Sequence, residues 1–200
     1  MNLRNMISQT GEWLKGSGPR NDIVISCRIR LARNIANHVF PEHMPEKKAQ
    51  ELIKNVRAVI NKNSYLKKCL FLESHEINTV DRELLIERHL ISRDFMKRAG
   101  PAAVCVTADE IVSIMINEED HLRMQILNSG FNLVEALRII SLIDSQLEEH
   151  LDYAFDPKLG YLTACPTNVG TGLRASCMLH LPALVMTKQI NKVLQALSRL

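Results

Sequence analysis

Glycine and proline are scarce in this 200-residue sequence, at 8 and 7 residues, and no segment is repeated or compositionally biased. With 46% hydrophobic and 24% charged residues, that scarcity excludes a low-complexity chain and describes one able to bury a core, most simply as one domain. A surplus of one charge is also missing. Lys and Arg number 25 against 22 Asp and Glu, a formal +3, so bulk charge gives no support for direct nucleic-acid binding or an anionic membrane. No apolar run approaches the ~18 residues of a membrane span, and the opening MNLRNMISQTGEWLKGSG lacks the apolar core of a secretory signal. A cytoplasmic location follows as an expectation. Five cysteines (Cys27, Cys69, Cys105, Cys165, Cys177) include no C-x-x-C pair, which argues against a zinc site or a disulfide framework; free, mostly buried thiols are expected.

What is present is periodicity. Residues 1–16 place Leu3, Met6, Ile7, Trp13 and Leu14 at roughly helical spacing before Gly16-Ser17-Gly18-Pro19 breaks the pattern. Residues 1–21 therefore read as an N-terminal helix and linker. DIVISCRIRLARN alternates, with Ile23, Ile25, Cys27, Ile29 and Leu31 on one side and Arg28 and Arg30 together on the other, the mark of a strand. Residues 45–61 and 80–89 read as helices, and residues 103–128 as three antiparallel strands joined by turns at 108–110 and 118–120. Residues 133–151 read as a helix with Leu133, Leu137, Ile140, Leu147 and Leu151 near one stripe. A strand-loop-strand follows, and residues 182–200 return to helix. The fold class expected is α+β, a mainly antiparallel sheet flanked by helices, in a domain covering 22–200.

Three segments carry charge in patterns suited to chemistry. Arg28 and Arg30, at i and i+2 on a strand, form a natural clamp for phosphate oxygens, although a solvated edge strand has the same spacing. In NEEDHLR, three acids crowd a turn, and Glu119, His121 and Arg123 share parity if the segment is extended; a solvated acidic hairpin is the alternative. In TACPTNVGTGLRAS, Gly170 and Gly172 would let backbone amides approach phosphates, with Arg174 adding charge. The Walker lysine is absent, and Thr171 and Ser176 read as loop hydrogen-bond formers, since no Ser-His-acid set is evident.

SCRIRLARN, NEEDHLR and CPTNVGTGLRAS, in this order, resemble the signature blocks of the ATP:guanidino phosphotransferases, over residues 22–200. Within that family IRLARN, GLRAS and the short leader resemble the bacterial protein-arginine kinases. The resemblance implies ATP and Mg²⁺ as cofactors, with Ser26, Arg28, Arg30, His89, Arg123, Arg174, Ala175 and Ser176 on the nucleotide and no dedicated protein metal site. It implies Glu119 as the carboxylate that aligns and deprotonates the acceptor guanidinium, and Cys165 as a thiol beside that guanidinium. The partners it implies are arginine-bearing proteins such as a stress-response repressor, an activating adaptor and a Clp ATPase, with a homodimeric full-length form. The family pattern continues beyond residue 200 with an R-G-x-x-G-E-like segment and a further domain, so this stretch alone is expected to bind nucleotide weakly. A kinase of small guanidines, or a catalytically silent binding module, would carry the same motifs.

Overall fold

Alternating side chains across one long strand determine where the site can be. In a computed structural model that describes residues 3, 6 and 10–199, β1 (Val24–Arg33) lies inside a six-stranded sheet of order β2-β3-β4-β5-β1-β8. The other strands are β2 (Leu70–Glu73), β3 (Ala103–Val106), β4 (Val112–Ile116), β5 (Leu122–Ser129) and β8 (Leu173–Leu179), and every pairing is antiparallel. A separate two-residue hairpin joins β6 (Phe155–Asp156) to β7 (Gly160–Tyr161). The α+β reading and the three-strand meander are both borne out.

One face of the sheet carries Ile29, Leu31, Ala103, Cys105, Ile114, Ile116, Leu122, Met124 and Ile126, all buried. Two helices close it. The first, α1 (Glu46–Ile60), begins after Pro45 and buries Ala49, Leu52, Ile53, Val56, Val59 and Ile60 at steps of three and four. Each large apolar side chain so buried contributes about 1.5–3 kcal/mol. The second, α4 (Leu133–Glu148), buries Ala136, Ile140, Ile143 and Leu147; Leu137, expected on that stripe, is exposed because it falls one position off the contact face.

The opposite face is covered over only part of its width. There α2 (Thr79–Glu87) and the short α3 (Arg93–Lys97) pack Leu85 and Phe95 against Val104, Val106 and Met115, together with Leu3 and Met6. Across β5, β1 and β8 the same face carries Arg28, Arg30, Arg123, Arg174 and Ser176, and forms the floor of a cleft.

Several expectations change. The helix expected over 1–16 is replaced at its end by a 3-10 turn, Glu12–Leu14, while Ile7 lies outside the described residues. Residues 182–199 form two helices, α5 (Pro182–Met186) and α6 (Ile190–Leu197), separated at Lys188, which adopts φ 56°. Cys69 and Cys105 are paired as a disulfide instead of remaining free: the register Leu70↔Val106 and Phe71↔Cys105 brings their Cα atoms to 6.0 Å, a proximity that their 36-residue separation hides. Cys27 is a buried thiol, but Cys177 is exposed because β8 is an edge strand. Among the described residues no helix is long and apolar enough to cross a membrane.

Candidate active site

Strand register gathers the arginines. Arg30 lies opposite Arg174, Arg28 opposite Ser176 and Ser26 opposite Met178 across the β1–β8 pair, while Arg123 lies opposite Ala32 across β1–β5. Paired residues of an antiparallel ladder share a face, so these side chains emerge on one side. Ser26, Arg28, His89 and Ser176 line a cavity of about 260 Å³. Arg30, Glu119, Arg123 and Arg174 line the cleft next to it, displaced along β1 by one pleat. Ala175 pairs with Ile29, so its methyl group lies on the apolar face, away from the arginines.

The cluster is cationic and largely uncompensated. Among the described residues, Arg28, Arg30 and Arg174 have no carboxylate within ion-pairing distance. Burial, followed by repulsion from Arg28, Arg123 and Arg174, pushes the Arg30 pKa down to about 10, and burial with Arg123 lowers that of Arg28. Both remain charged at neutral pH. The Nε of Arg30 is buried without a hydrogen-bond partner. A polyanion would satisfy that donor and relieve the repulsion, so these residues fit nucleotide phosphates. Among the described residues no group of three or more His, Cys, Asp or Glu is placed to hold a metal ion.

The three acids of the 118–120 turn look alike in the sequence and have different surroundings. Glu118 is buried and grips Arg123 Nη1 with both carboxylate oxygens, at 2.8 and 2.7 Å, while also accepting from the Ser92 hydroxyl. Asp120, also buried, accepts from Asn34 Nδ2 at 2.6 Å and from the Ala164 amide at 2.7 Å, tying the turn to the end of β1 and to the loop that carries Cys165. Glu119 alone has no hydrogen-bond or ion-pair partner among the described residues. It is exposed at the junction of the arginine cleft with a second cleft of about 540 Å³, lined also by Glu42, Asp94, Arg98 and Ala164. Partial loss of water around its carboxyl raises its pKa, helped by Asp120 and Glu118 and opposed by Arg123.

Other expectations resolve less directly. Cys165 stands between two cleft-wall residues, Ala164 and Asn168, with its sulfur 3.0 Å from Thr167 Oγ1. His89, at φ 59°, packs its ring on Trp13 with centroids 4.9 Å apart, and burial followed by Arg28 lowers its pKa. His121 does not join Glu119 and Arg123. Its Nδ1 accepts the Ile35 amide and its Nε2 donates to the Val39 carbonyl, fixing a neutral, buried ring as a structural post. Gly172 approaches β1 closely, its carbonyl accepting from the Ala32 amide at 2.9 Å, while Gly170 pairs with Tyr161; both serve the loop's own architecture. The sequence reading missed Arg33, which is buried, ion-paired to Asp144 at 2.6 Å and seated 3.6 Å from the centroid of the Tyr161 ring, clamping the 160–172 loop to α4.

The family model for the C-terminal catalytic domain of ATP:guanido phosphotransferases matches residues 50–200. The chain belongs to this family. Curated relatives named protein-arginine kinase include one from Brevibacillus brevis, 49% identical over 94% of this chain and 53% of that protein, and one from Halalkalibacterium halodurans, 48% identical over 100% and 57%. The chain thus spans about half the length of the curated relatives it matches. Among solved structures, a taurocyamine kinase from Schistosoma mansoni with bound transition-state analogue components superposes with TM-score 0.79 at 20% identity, covering 88% of this chain and 26% of that one. A lombricine kinase superposes with TM-score 0.72 at 25% identity, covering 89% and 54%. The first of these likenesses speaks to the fold alone. Within the family fold, β1 precedes the matched region yet supplies Arg28 and Arg30 from inside the sheet.

Proposed function

We propose that the protein containing this chain is a protein-arginine kinase, transferring the γ-phosphoryl group of ATP to arginine side chains of other proteins. One observation carries the reading: a face of like-charged arginines with the carboxylate of Glu119, which has no partner among the described residues, at its edge. An acceptor arginine arrives protonated, with an ordinary pKa of ~12.5 to 13.8, and is a poor nucleophile. Glu119 accepts its N–H, aims one nitrogen at the γ-phosphorus and takes the proton. The N–P bond forms as the bond to the β-γ bridging oxygen breaks, and ADP leaves. Arg28, Arg30, Arg123 and Arg174 hold the phosphates and offset the charge on the equatorial oxygens. Glu118 orients Arg123 for that task. Ser26, His89 and Ser176 line the adjoining cavity, where we place the rest of the nucleotide. Mg²⁺, arriving with ATP, would add positive charge at the phosphates that Arg28, Arg30, Arg123 and Arg174 hold. Cys165 is the polar neighbour assigned to the acceptor guanidinium.

Residues 22–200 are taken as belonging to the catalytic unit. A cytoplasmic setting, a homodimeric full-length form, a stress-response role and work with an adaptor and a Clp ATPase rest on the family resemblance. The test is phosphoarginine mass spectrometry on the full-length protein with a protein acceptor and, in parallel, free arginine. Glu119→Gln is expected to lower turnover by about two powers of ten. Undiminished turnover in Glu119→Gln overturns its role; transfer to free arginine in preference to protein makes the enzyme a small-molecule guanidino kinase, and no transfer makes it a binding module.

A further inference from the structure

A third cleft, of about 210 Å³, opens beside the covered half of the sheet, between the turn Ser74–Glu76, α2 and the segment after α3. Its charged lining is all of one sign or neutral: Arg82, Arg98 and His75. Among the described residues neither arginine has a carboxylate within ion-pairing distance. Arg82 donates through Nε to the Ile77 carbonyl at 3.0 Å and through Nη2 to the Ser74 carbonyl at 3.2 Å, and its Nη1 has no partner among the described residues. Arg98 spends Nη1 on the Glu118 carbonyl at 3.0 Å and Nη2 on the Pro41 carbonyl at 2.7 Å, while its Nε is buried and unpartnered. The acids of the adjoining turn are occupied, Glu73 and Glu76 closing a capping box on each other's backbone. Ile77, Phe95 and Met96 supply an apolar wall.

Two guanidinium groups held in place by backbone carbonyls, with donors to spare and no carboxylate among the described residues in direct contact, are preorganised for an anion, although Glu118 and Glu42 partly offset the charge of Arg98 from the far side. The apolar wall adds room for more than a bare ion. We propose that this cleft is a second anion site, separate from the nucleotide cluster, which takes a small phosphate monoester whose organic group packs on Phe95 and Met96. Its position gives it a route to the active site. Arg98 lines this cleft and also the 540 Å³ cleft that Glu119 borders, and its Nη1 donates to the carbonyl of Glu118, immediately before Glu119. An occupant that recruits Arg98 therefore acts on the acceptor carboxylate, and its kinetic signature is a change in KM for the acceptor at unchanged KM for ATP.

The test is equilibrium dialysis of phenyl phosphate and of inorganic phosphate against the full-length protein. Phenyl phosphate is expected to bind more tightly than inorganic phosphate, to persist in Arg30→Gln, which weakens the nucleotide cluster, and to weaken at least tenfold in Arg82→Gln. Because Arg82 also supports the local turn, Gly100→Asp serves as an independent variant. A Cβ at Gly100 has open space and finds Arg98 Nη2 nearest, at 3.9 Å, so the new carboxylate supplies an internal competitor and is also expected to abolish binding. Binding that vanishes in Arg30→Gln, binding untouched by both Arg82→Gln and Gly100→Asp, or no measurable binding to the unaltered protein would each overturn the second site. None of these readouts requires the chain to be a kinase, so failure here and failure of the proposed activity are distinguishable.

Discussion

Arg30 and Arg174 lie directly opposite each other across the β1–β8 pair, two guanidinium groups in register with no carboxylate among the described residues paired to either. Like charges so placed destabilise a strand pair by about 0.2–1 kcal/mol. A fold that tolerates this holds the repulsion in readiness for a polyanion. Arg174→Ala is therefore expected to leave the unliganded protein as stable or slightly more stable, while ATP binds about ten- to a hundredfold more weakly through loss of a charge-assisted contact. Thermal unfolding with and without nucleotide, beside calorimetric titration, separates the two effects; a variant that loses stability without losing affinity would assign Arg174 to the scaffold.

The Arg33–Asp144 pair makes the opposite prediction. Both side chains are largely buried, at 4% and 11% exposure, and Arg33 also donates to the Thr171 carbonyl at 2.8 Å. Asp144→Ala leaves a buried guanidinium without its counter-charge, and a cost of about 3–5 kcal/mol is expected in chemical denaturation. The loop 160–172 should loosen with it, seen as faster amide exchange at Tyr161 and Gly170, whose mutual hydrogen bonds it carries.

His121 makes stability depend on pH. Burial pushes its pKa down from 6.5 to about 4, because a charged ring would be stranded between Ile35 and Val39. The unfolded chain takes up the proton first, so this contribution is intact above pH 6.5 and is lost as pH falls toward 4, to the extent of about 3 kcal/mol. Denaturation midpoints between pH 7 and 4.5, together with the imidazole resonance of His121, check it. A ring that titrates near 6.5 in the folded protein would refute the account.

Gly172 tests the close approach of loop to strand. It adopts φ 65°, and an added Cβ would stand 2.5 Å from the Ala32 carbonyl oxygen and 2.6 Å from Arg33 Nη1. Gly172→Ala should destabilise by at least about 1–3 kcal/mol and displace Arg174, two residues on, with a loss of nucleotide affinity. Gly16 has φ 61° and open space, so Gly16→Ala isolates the backbone component and should cost less, with no effect on nucleotide. Equal costs at both positions would remove the steric part of the argument.

Much of this was legible in the sequence because it is local. Alternation in DIVISCRIRLARN fixes which side Arg28 and Arg30 share, and three apolar runs broken by polar turns can hardly be other than a meander. What escaped depends on which distant group a side chain meets. Glu118, Glu119 and Asp120 are adjacent acids, and only their partners Arg123, Ser92, Asn34 and Ala164 distinguish two structural carboxylates from the free one. The Cys69–Cys105 pairing needs the β2–β3 register, and Arg33 needs Asp144, 111 residues away. Cys177 lies beside the apolar residues Met178 and Leu179 and reads as a core thiol, but edge position leaves it in solvent.

Strand β1 carries Ile29 and Leu31 toward the helices and Arg28 and Arg30 toward the cleft, between two neighbours at once. A slip of a single residue during assembly would drive both guanidinium groups into the oily layer beneath α1 and α4 and turn the aliphatic side chains outward. Misaligned forms are thereby penalised heavily on both borders of the strand. The charges recruited for chemistry also act as a spacing gauge, so trimming them to alanine should broaden the range of pairings the chain samples before it settles.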